Sequence, residues 1–425
     1  MRVPVQRRAL MFAGIALIGT AVFWLALSLG SDAAVGTAAP KRVSSRGYMT
    51  TAAELAVVRR KAQQGLSPYR EAVSELLNFA RDPEYWPYGD IKDKQRCKET
   101  LEPAYIGDGS PLIYAKAIAY HLTGRKEYAG SVRQRLLDLV DTHGYGGDKY
   151  TGGNQCILNL SWYMPGFIMA ADLIEDYPEW TPEDKKRFQE WLATEVYKKV
   201  DWASDRRSNN WGSAASATAG IIADYLDGSG LLVIDREGRR LTPKQAYDEA
   251  RAHQLARIEG NQYMDNYNCH QPVGIRSDGG IPEELARGSS GCDGTWIKDE
   301  DGSWNYTQTY LQGTILHAEY LLRRGDKSIY EKKTSAGAPA ILAAIHFVID
   351  NPRKPRSWRP TSRQSLELAY RYYRDPAIGE QLHISGPKRY IGGRSGQMLH
   401  FGTITHAMAP DENPSPPPVV APPSN

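Results

Sequence analysis

The sequence predicts an all-α fold in which helical hairpins curl into a ring or arc, with loops forming a cleft at one end. Three observations carry this. Apolar residues recur at helical spacing along most of the chain, with few strand signals. Several helical stretches, among them FIMAADLI and ASATAGIIA, are apolar on more than one face, which marks helices packed inside a layered structure. The length, 425 residues with 41% hydrophobic and 24% charged, suits one large domain or two modest ones with a substantial core. An irregular helical bundle has the same periodicity. No sequence repeat is evident, which excludes a consensus solenoid.

The elements follow in order. Arg2, Arg7 and Arg8 precede an apolar run from Ala9 to Gly30, and small residues follow in SDAAVGTAAP. That is the layout of a secretory signal, or of an uncleaved signal anchor, over residues 1–39. Either places the chain from about Pro40 onward outside the cytoplasm. Residues 41–50 read as a linker, and the domain spans 40–408. Helices are expected at PYREAVSELLNFA and at PLIYAKAIAYHLTGR, the latter opening with Pro111 in its first turn. EYAGSVRQRLLDLVDTH, NLSWYMPGFIMAADLIEDY, TPEDKKRFQEWLATEVYKKV and NWGSAASATAGIIADYL come next. PKQAYDEARAHQLARIEG, NYTQTYLQGTILHAEYLLRR, APAILAAIHFVID and SRQSLELAYRYY complete the series. In TPED, Thr181 can cap, Pro182 suits the first turn, and the acids favour the helix N-terminus. The Pro-rich end, 409–425, reads as a disordered tail.

Net charge is only +3, which argues against a nucleic-acid partner bound by a basic face. The aromatics are uneven, 25 Tyr and 10 Trp against 7 Phe. Tyr and Trp pair a flat apolar face with a polar edge, as a carbohydrate cleft needs, although half-buried core aromatics give the same bias. Cys97, Cys156, Cys269 and Cys292 suit an oxidising compartment. Of three connectivities, Cys97–Cys156 with Cys269–Cys292 closes the shortest loops. No CxxC pair supports zinc.

Two stretches are polar, Gly-rich and aromatic, unlike the helices around them: SDRRSNNWGSAAS at 204–216, and 261–311, which contains DGGIPEELARG and NYTQTYL. A compact domain rarely carries so long an irregular stretch without a use for it. DGGIPEELARG followed by NYTQTYL resembles the alginate lyases of the (α/α)-toroid polysaccharide lyases. SNNWGSAAS resembles that family's Asn-Asn-His segment, and NLSWYMPGFIMAADLI its cleft-lining aromatic helix. The resemblance covers roughly residues 60–350 and rests on three motifs in the right order. It implies an (α/α) toroid, an incomplete barrel of helical hairpins with long active-site loops. It places the catalytic Arg on Arg287 and the carboxylate-neutralising Asn on Asn210. The catalytic Tyr falls on Tyr306 if an insertion around Cys292 to Ser303 is allowed. Where the family has His, this chain has Trp211, which neither takes nor gives a proton usefully. His270 is the candidate to supply an imidazole instead. Asn209, Trp211, Trp162, Tyr163, Trp296 and Tyr310 are candidates for binding the sugar chain.

The chemistry explains these residue types. β-Elimination removes the C5 proton of a uronate and expels the oxygen at C4. Asn210, Arg287 and His270 would neutralise the carboxylate and the charge that develops on it. Tyr306 would be base and then acid. A free phenol ionises near pH ~10, and an adjacent guanidinium favours the phenolate. One Tyr can do both steps only where the C5 proton and C4 oxygen share a face of the ring, as in polymannuronate or glucuronan. The mechanism needs no cofactor, and no closed set of metal ligands is present in the sequence. The partner implied is an acidic polysaccharide, with membrane contact only through the N-terminal segment.

Each residue also has a purely structural alternative. Arg287 can pair with Glu283 or Glu284, Tyr306 can be a half-buried core residue, and Ser208, Asn209 or Asn210 can cap the helix that follows. Two other functions compete. A glycoside hydrolase on a similar toroid would use two of Asp278, Glu283, Glu284 and Asp293. A non-catalytic glycan-binding protein would use the aromatics alone.

Overall fold

The structure is a computed structural model that describes residues 45–81, 102–142, 155–260, 274–286, 300–352, 363–386, 389–393 and 397–408. Its compact unit is Val43–Asn425. Among the described residues the only strands are a two-residue antiparallel ribbon, β1 (Val233–Ile234) and β2 (Arg240–Leu241). Everything else regular is helical.

The helices are α1 (Ala52–Gln63), α2 (Tyr69–Ala80), α3 (Glu102–Thr123), α4 (Lys126–Thr142), α5 (Gln155–Leu173), α6 (Pro182–Trp191), α7 (Tyr197–Arg206), α8 (Asn210–Leu226) and α9 (Pro243–Glu259). After them come α10 (Pro282–Leu285), α11 (Glu300–Leu322), α12 (Ser328–Glu331), α13 (Ala340–Asp350), α14 (Arg363–Tyr373), α15 (Pro376–Gln381) and α16 (Gly402–His406). Local chemistry sets many of their ends. Thr181 caps α6 by accepting from the Asp184 N–H at 3.2 Å, with Pro182 behind it. Thr242 and Gln245 close a reciprocal capping box on α9, and Gly260 ends it at φ +75°.

Three local expectations fail. Pro111 does not open α3 but is its tenth residue, where a proline removes one backbone donor from the helix interior. Leu192–Val196 forms a π-helical turn between α6 and α7, which apolar periodicity does not reveal. Helix α11 begins at Glu300 rather than at Asn305, so Tyr306 lies in its second turn.

Packing runs from α1 and α2 to α3, then α5, α8, α11 and α14, and returns through α16 to α1 and α2. Helices α4, α7, α9 and α13 pack on this circuit. The inner helices are those expected to be apolar all round. Every residue of α8 except Trp211 is buried. Their side-chain contacts fix their relative direction. Ser110 of α3 bonds the Tyr163 carbonyl of α5, and further along His121 meets Leu173. Thr218 of α8 bonds Ser161 of α5. Ser213 of α8 bonds the Tyr310 carbonyl of α11 at 2.6 Å, and near the far ends Arg324 pairs with Asp224 at 2.8 and 2.9 Å. Residue numbers climb together across α3–α5 and α8–α11, so the helices within each pair run parallel.

Close approach is achieved by glycine. A side chain at Gly166 would strike Ser110, one at Gly313 would strike the Ser213–Ala214 backbone, and one at Gly220 would strike Tyr320. The start of the unit is fastened by Asp172 of α5, whose carboxylate accepts from Ser45 Oγ and from the backbone N–H groups of Arg46 and Gly47.

Candidate active site

Asn209, Asn210 and Trp211 lie at the N-terminal end of α8, and Tyr306 lies near that of α11. Arg207 leaves the helical conformation at the end of α7 (ψ 124°), and Asn209 caps α8 by accepting from the Trp211 N–H at 3.0 Å. Asn209 therefore has a local structural task that its short acceptor side chain explains. Asn210 is the first residue of α8 and is buried.

A short helix then links the two halves of the site. Glu284 of α10, completely buried, accepts the Asn210 backbone N–H on its carboxylate. A carboxylate at a helix N-terminus satisfies a donor that has no intrahelical partner and complements the helix dipole. The next residue of α10, Leu285, offers its carbonyl to Ser303 Oγ of α11 at 3.0 Å. Ser303 and Tyr306 are one turn apart on α11, on the same face. Asn210 is thus tied through Glu284, Leu285 and Ser303 to the turn that carries Tyr306. Tyr306 is 40% exposed, one of the few large aromatics that open to solvent.

Below Tyr306 the helix goes inward. Tyr310, one turn on, is 1% exposed and belongs to the core. Its ring packs in the core, and burial raises its phenol far above the ordinary range. Trp162 and Tyr163 are half-buried on α5, edge to face with ring centroids 6.2 Å apart, and pack on the core.

Trp211 is half-buried and has a definite partner. The Arg207 guanidinium lies 5.2 Å from the Trp202 ring and 5.4 Å from the Trp211 ring, within cation–π range of both. Arg207 was not singled out from sequence. Its signal, an Arg pair one residue before Asn-Asn, was there to be read. Arg257 and Glu284 were also missed as parts of this arrangement. Nothing in a helical pattern distinguishes a buried functional Arg or Glu from a surface one.

His253 of α9 lies beneath the turn, 3.1 Å from Ser204 Oγ. Burial, with Arg257 nearby, lowers its pKa to about 4, so it is neutral at working pH. Arg287, His270, Trp296 and the cysteines Cys97, Cys269 and Cys292 lie outside the described residues, as does the Cys156 side chain. The expected disulfides fall with them.

Of the acids a hydrolase would use, Asp293 lies outside the described residues, and the other three are engaged or buried. Glu283 and Glu284 are buried, and Glu284 is engaged by α8. Asp278 is held by Arg276 at 2.9 Å and by the Gly280 N–H at 3.0 Å. Among the described residues one acidic trio, Asp201, Asp235 and Glu237, converges within 4.8 Å. Asp235 already pairs with Arg239 and Glu237 with Arg236, and Asp201 accepts from the Arg236 backbone N–H, so the protein supplies its own cations to two of the three.

Comparison with known proteins now places this geometry. Residues 110–245 match the family model "Alginate lyase". That stretch is similar to the alginate lyase family. It includes α5, the 207–209 turn and all of α8. No curated protein matches the chain. An alginate lyase from Bacteroides ovatus is 18% identical, with 81% of this chain and 96% of that one superposed at a TM-score of 0.55. Alginate lyase A1-III from Sphingomonas species A1 is 14% identical, with 86% and 98% covered at 0.55. A His-to-Ala variant of A1-III complexed with tetrasaccharide is 13% identical, with 86% and 98% covered at 0.56. The fold is the (α/α) toroid of those alginate lyases. Among the described residues no helix is long and apolar enough to cross a membrane.

Proposed function

We propose that the protein is a polysaccharide lyase that cleaves a uronate polymer, of the polymannuronate or glucuronan type, by β-elimination. One observation carries the reading. The buried Glu284 fastens the backbone of Asn210 to α10, and α10 in turn holds the turn of α11 that presents Tyr306. Two motifs nearly a hundred residues apart are thereby joined at one end of parallel helices.

The sequence of events follows from the residues. The Asn210 amide hydrogen-bonds the uronate carboxylate, and the N-terminal end of α8 adds a partial positive charge toward it. The Tyr306 phenolate takes the C5 proton. The electron pair left at C5 forms the C4=C5 bond as the C4–O bond breaks. The Tyr306 hydroxyl then returns a proton to the departing oxygen, which restores the phenolate. Arg287, which follows α10 within two residues, is the guanidinium assigned to favour that phenolate. Tyr306 lies on a rigid helix and opens to solvent, which suits a group that must meet a polymer from outside.

Supporting the substrate class are the family region and the likeness to alginate lyases solved with tetrasaccharide. The exported location rests on the N-terminal pattern Arg2, Arg7, Arg8 and the apolar run to Gly30. The test is a screen of polymannuronate, polyguluronate, glucuronan and glycosaminoglycans, followed by the ultraviolet absorbance of unsaturated uronate. Tyr306→Phe is expected to abolish turnover and to keep oligosaccharide binding, because only the phenolic oxygen is lost. A Tyr306→Phe protein that degrades polyuronate at the normal rate overturns the residue assignment. Reducing ends without unsaturation would mean hydrolysis.

A further inference from the structure

We infer that Arg257 is a positioning residue for the reaction: its buried guanidinium holds the turn that sets Asn210 in place. The inference rests on the assignment of Asn210 to the active site.

Arg257 lies on α9 and is 3% exposed. Its Nε donates to the Arg207 carbonyl at 2.9 Å and its Nη2 to the Ser204 carbonyl at 2.5 Å. Its Nη1 is shared among Ser216 Oγ at 3.0 Å, Gln254 Oε1 at 3.3 Å and the His253 carbonyl at 3.3 Å. Among the described residues every acceptor is neutral. Among the described residues no carboxylate hydrogen-bonds it; Asp205 acts on it only through its charge, and burial outweighs that and lowers the guanidinium's pKa to about 10.

The cost of burying the charge is informative. Joining α7, α8 and α9 needs no ion, because apolar side chains of similar volume commonly do as well or better. What an apolar side chain cannot do is fix two carbonyls at once in a set geometry, as the guanidinium fork does. The two carbonyls chosen bracket the end of α7 and the start of the turn that reaches Asn210 three residues later. The chain also makes room for this. Gly212, two residues past Asn210, has no side chain, and a Cβ there would lie 2.7 Å from Arg257 Nη2. Glu284 fixes Asn210 at the N-terminal end of α8, and Arg257 fixes the turn that leads to it.

The experiment compares wild type with Arg257→Lys, Arg257→Met and Ser216→Ala. Each is measured for folding by circular dichroism and thermal midpoint, for kcat and KM on the polyuronate that wild type cleaves best, and for amide exchange at residues 207–210. A Lys at 257 keeps the charge but cannot span both carbonyls. Arg257→Lys should therefore lower kcat by roughly tenfold to a hundredfold with little change in KM, and should speed exchange at 207–210. Ser216→Ala removes one guanidinium acceptor and should lower kcat by a smaller factor in the same direction. Arg257→Met should fall below Arg257→Lys, so that the conservative variant partly restores the rate.

A purely structural role would lower the thermal midpoint and leave kcat per folded molecule as in wild type. Folded variants with wild-type kcat and unchanged exchange overturn the inference. If neither Arg257 variant folds, Ser216→Ala decides by the same readouts. Wild type that releases no unsaturated ends from any polyuronate overturns the lyase reading itself. Active wild type with an inactive Tyr306→Phe and a normal Arg257→Lys overturns the Arg257 assignment alone.

Discussion

Gly212→Ala is the sharpest perturbation of the candidate site, because one added methyl group meets the two components that shape it. The Cβ would lie 2.7 Å from Arg257 Nη2 and closer still to the Arg207 carbonyl oxygen. Non-bonded carbon settles at about 3.5 Å from a heavy atom, so roughly 1 Å of separation has to be found from the guanidinium and about 2 Å from the carbonyl oxygen. Neither neighbour is a free side-chain end. The carbonyl is backbone, and the guanidinium is held by five acceptors. The turn must therefore retreat, and Asn210 moves with it. Displacement of a catalytic group by ~1 Å costs on the order of a hundredfold in rate. Overpacking costs about 1–3 kcal/mol, against which replacing a helical Gly by Ala returns about 1 kcal/mol. The expected variant is thus folded, less stable by about 1 kcal/mol, and slower by about two orders of magnitude. Gly130→Ala in α4 is the control, since its new methyl would meet only the Tyr177 hydroxyl at an ordinary 3.4 Å; its rate should match wild type. Initial rates of unsaturated-uronate release and urea midpoints measure both. A Gly212→Ala protein with wild-type kcat would refute the claim that the turn's position matters.

Two predictions concern pH. Burial, with the neighbouring Asp235, pushes Asp201 up to about 7. The folded protein thus holds a proton that the unfolded chain has released above pH ~4, so stability falls as pH rises from about 4 to 7. Asp201→Asn should remove that slope and raise the unfolding free energy measured with urea at pH 8 by up to a few kcal/mol; a lower value would count against the burial argument. His317 of α11 is fully buried, stacked on Tyr320 with centroids 4.9 Å apart, and burial lowers it to about 3. Its contribution is present above pH ~6.5 and is lost as pH falls toward 3, amounting to about 2 kcal/mol at pH 5. His317→Phe should flatten the acid limb of stability by that amount, and an unchanged limb would show that another group controls it.

Much of the fold was legible because it depends on period and punctuation. The apolar runs FIMAADLI and ASATAGIIA are the inner helices α5 and α8, and Thr181 with Pro182 starts α6 where the sequence says. The closing of the ring was not legible, since it depends on which helix meets which. The parallel inner pairs rest on Gly166, Gly220 and Gly313 admitting a neighbour's side chain or backbone, and a lone glycine in a helical pattern does not name its partner. In the site, Asn210 and Tyr306 were legible as motif positions. Their connection was not, because it runs through Glu284 and Ser303, whose roles exist only in three dimensions. The burial of Tyr310 was not legible either: it lies four residues from Tyr306 on the same helix, yet α8 covers that level of α11 and leaves Tyr306 open.

The residue that departs from the family pattern, Trp211, can be understood from its neighbours. An imidazole beside Asn210 could donate to a carboxylate only while it is protonated or suitably tautomeric, and near neutral pH its charge is conditional. Trp211 gives up that role. It sits instead with Trp202 around the Arg207 guanidinium, a group whose charge does not titrate in any working range. The turn that Arg257 fixes by its carbonyl at Arg207 is therefore also the turn whose side chain the two indoles fix. One residue is constrained at both ends. A positive charge three residues from Asn210 is retained, and it is set by packing rather than by pH.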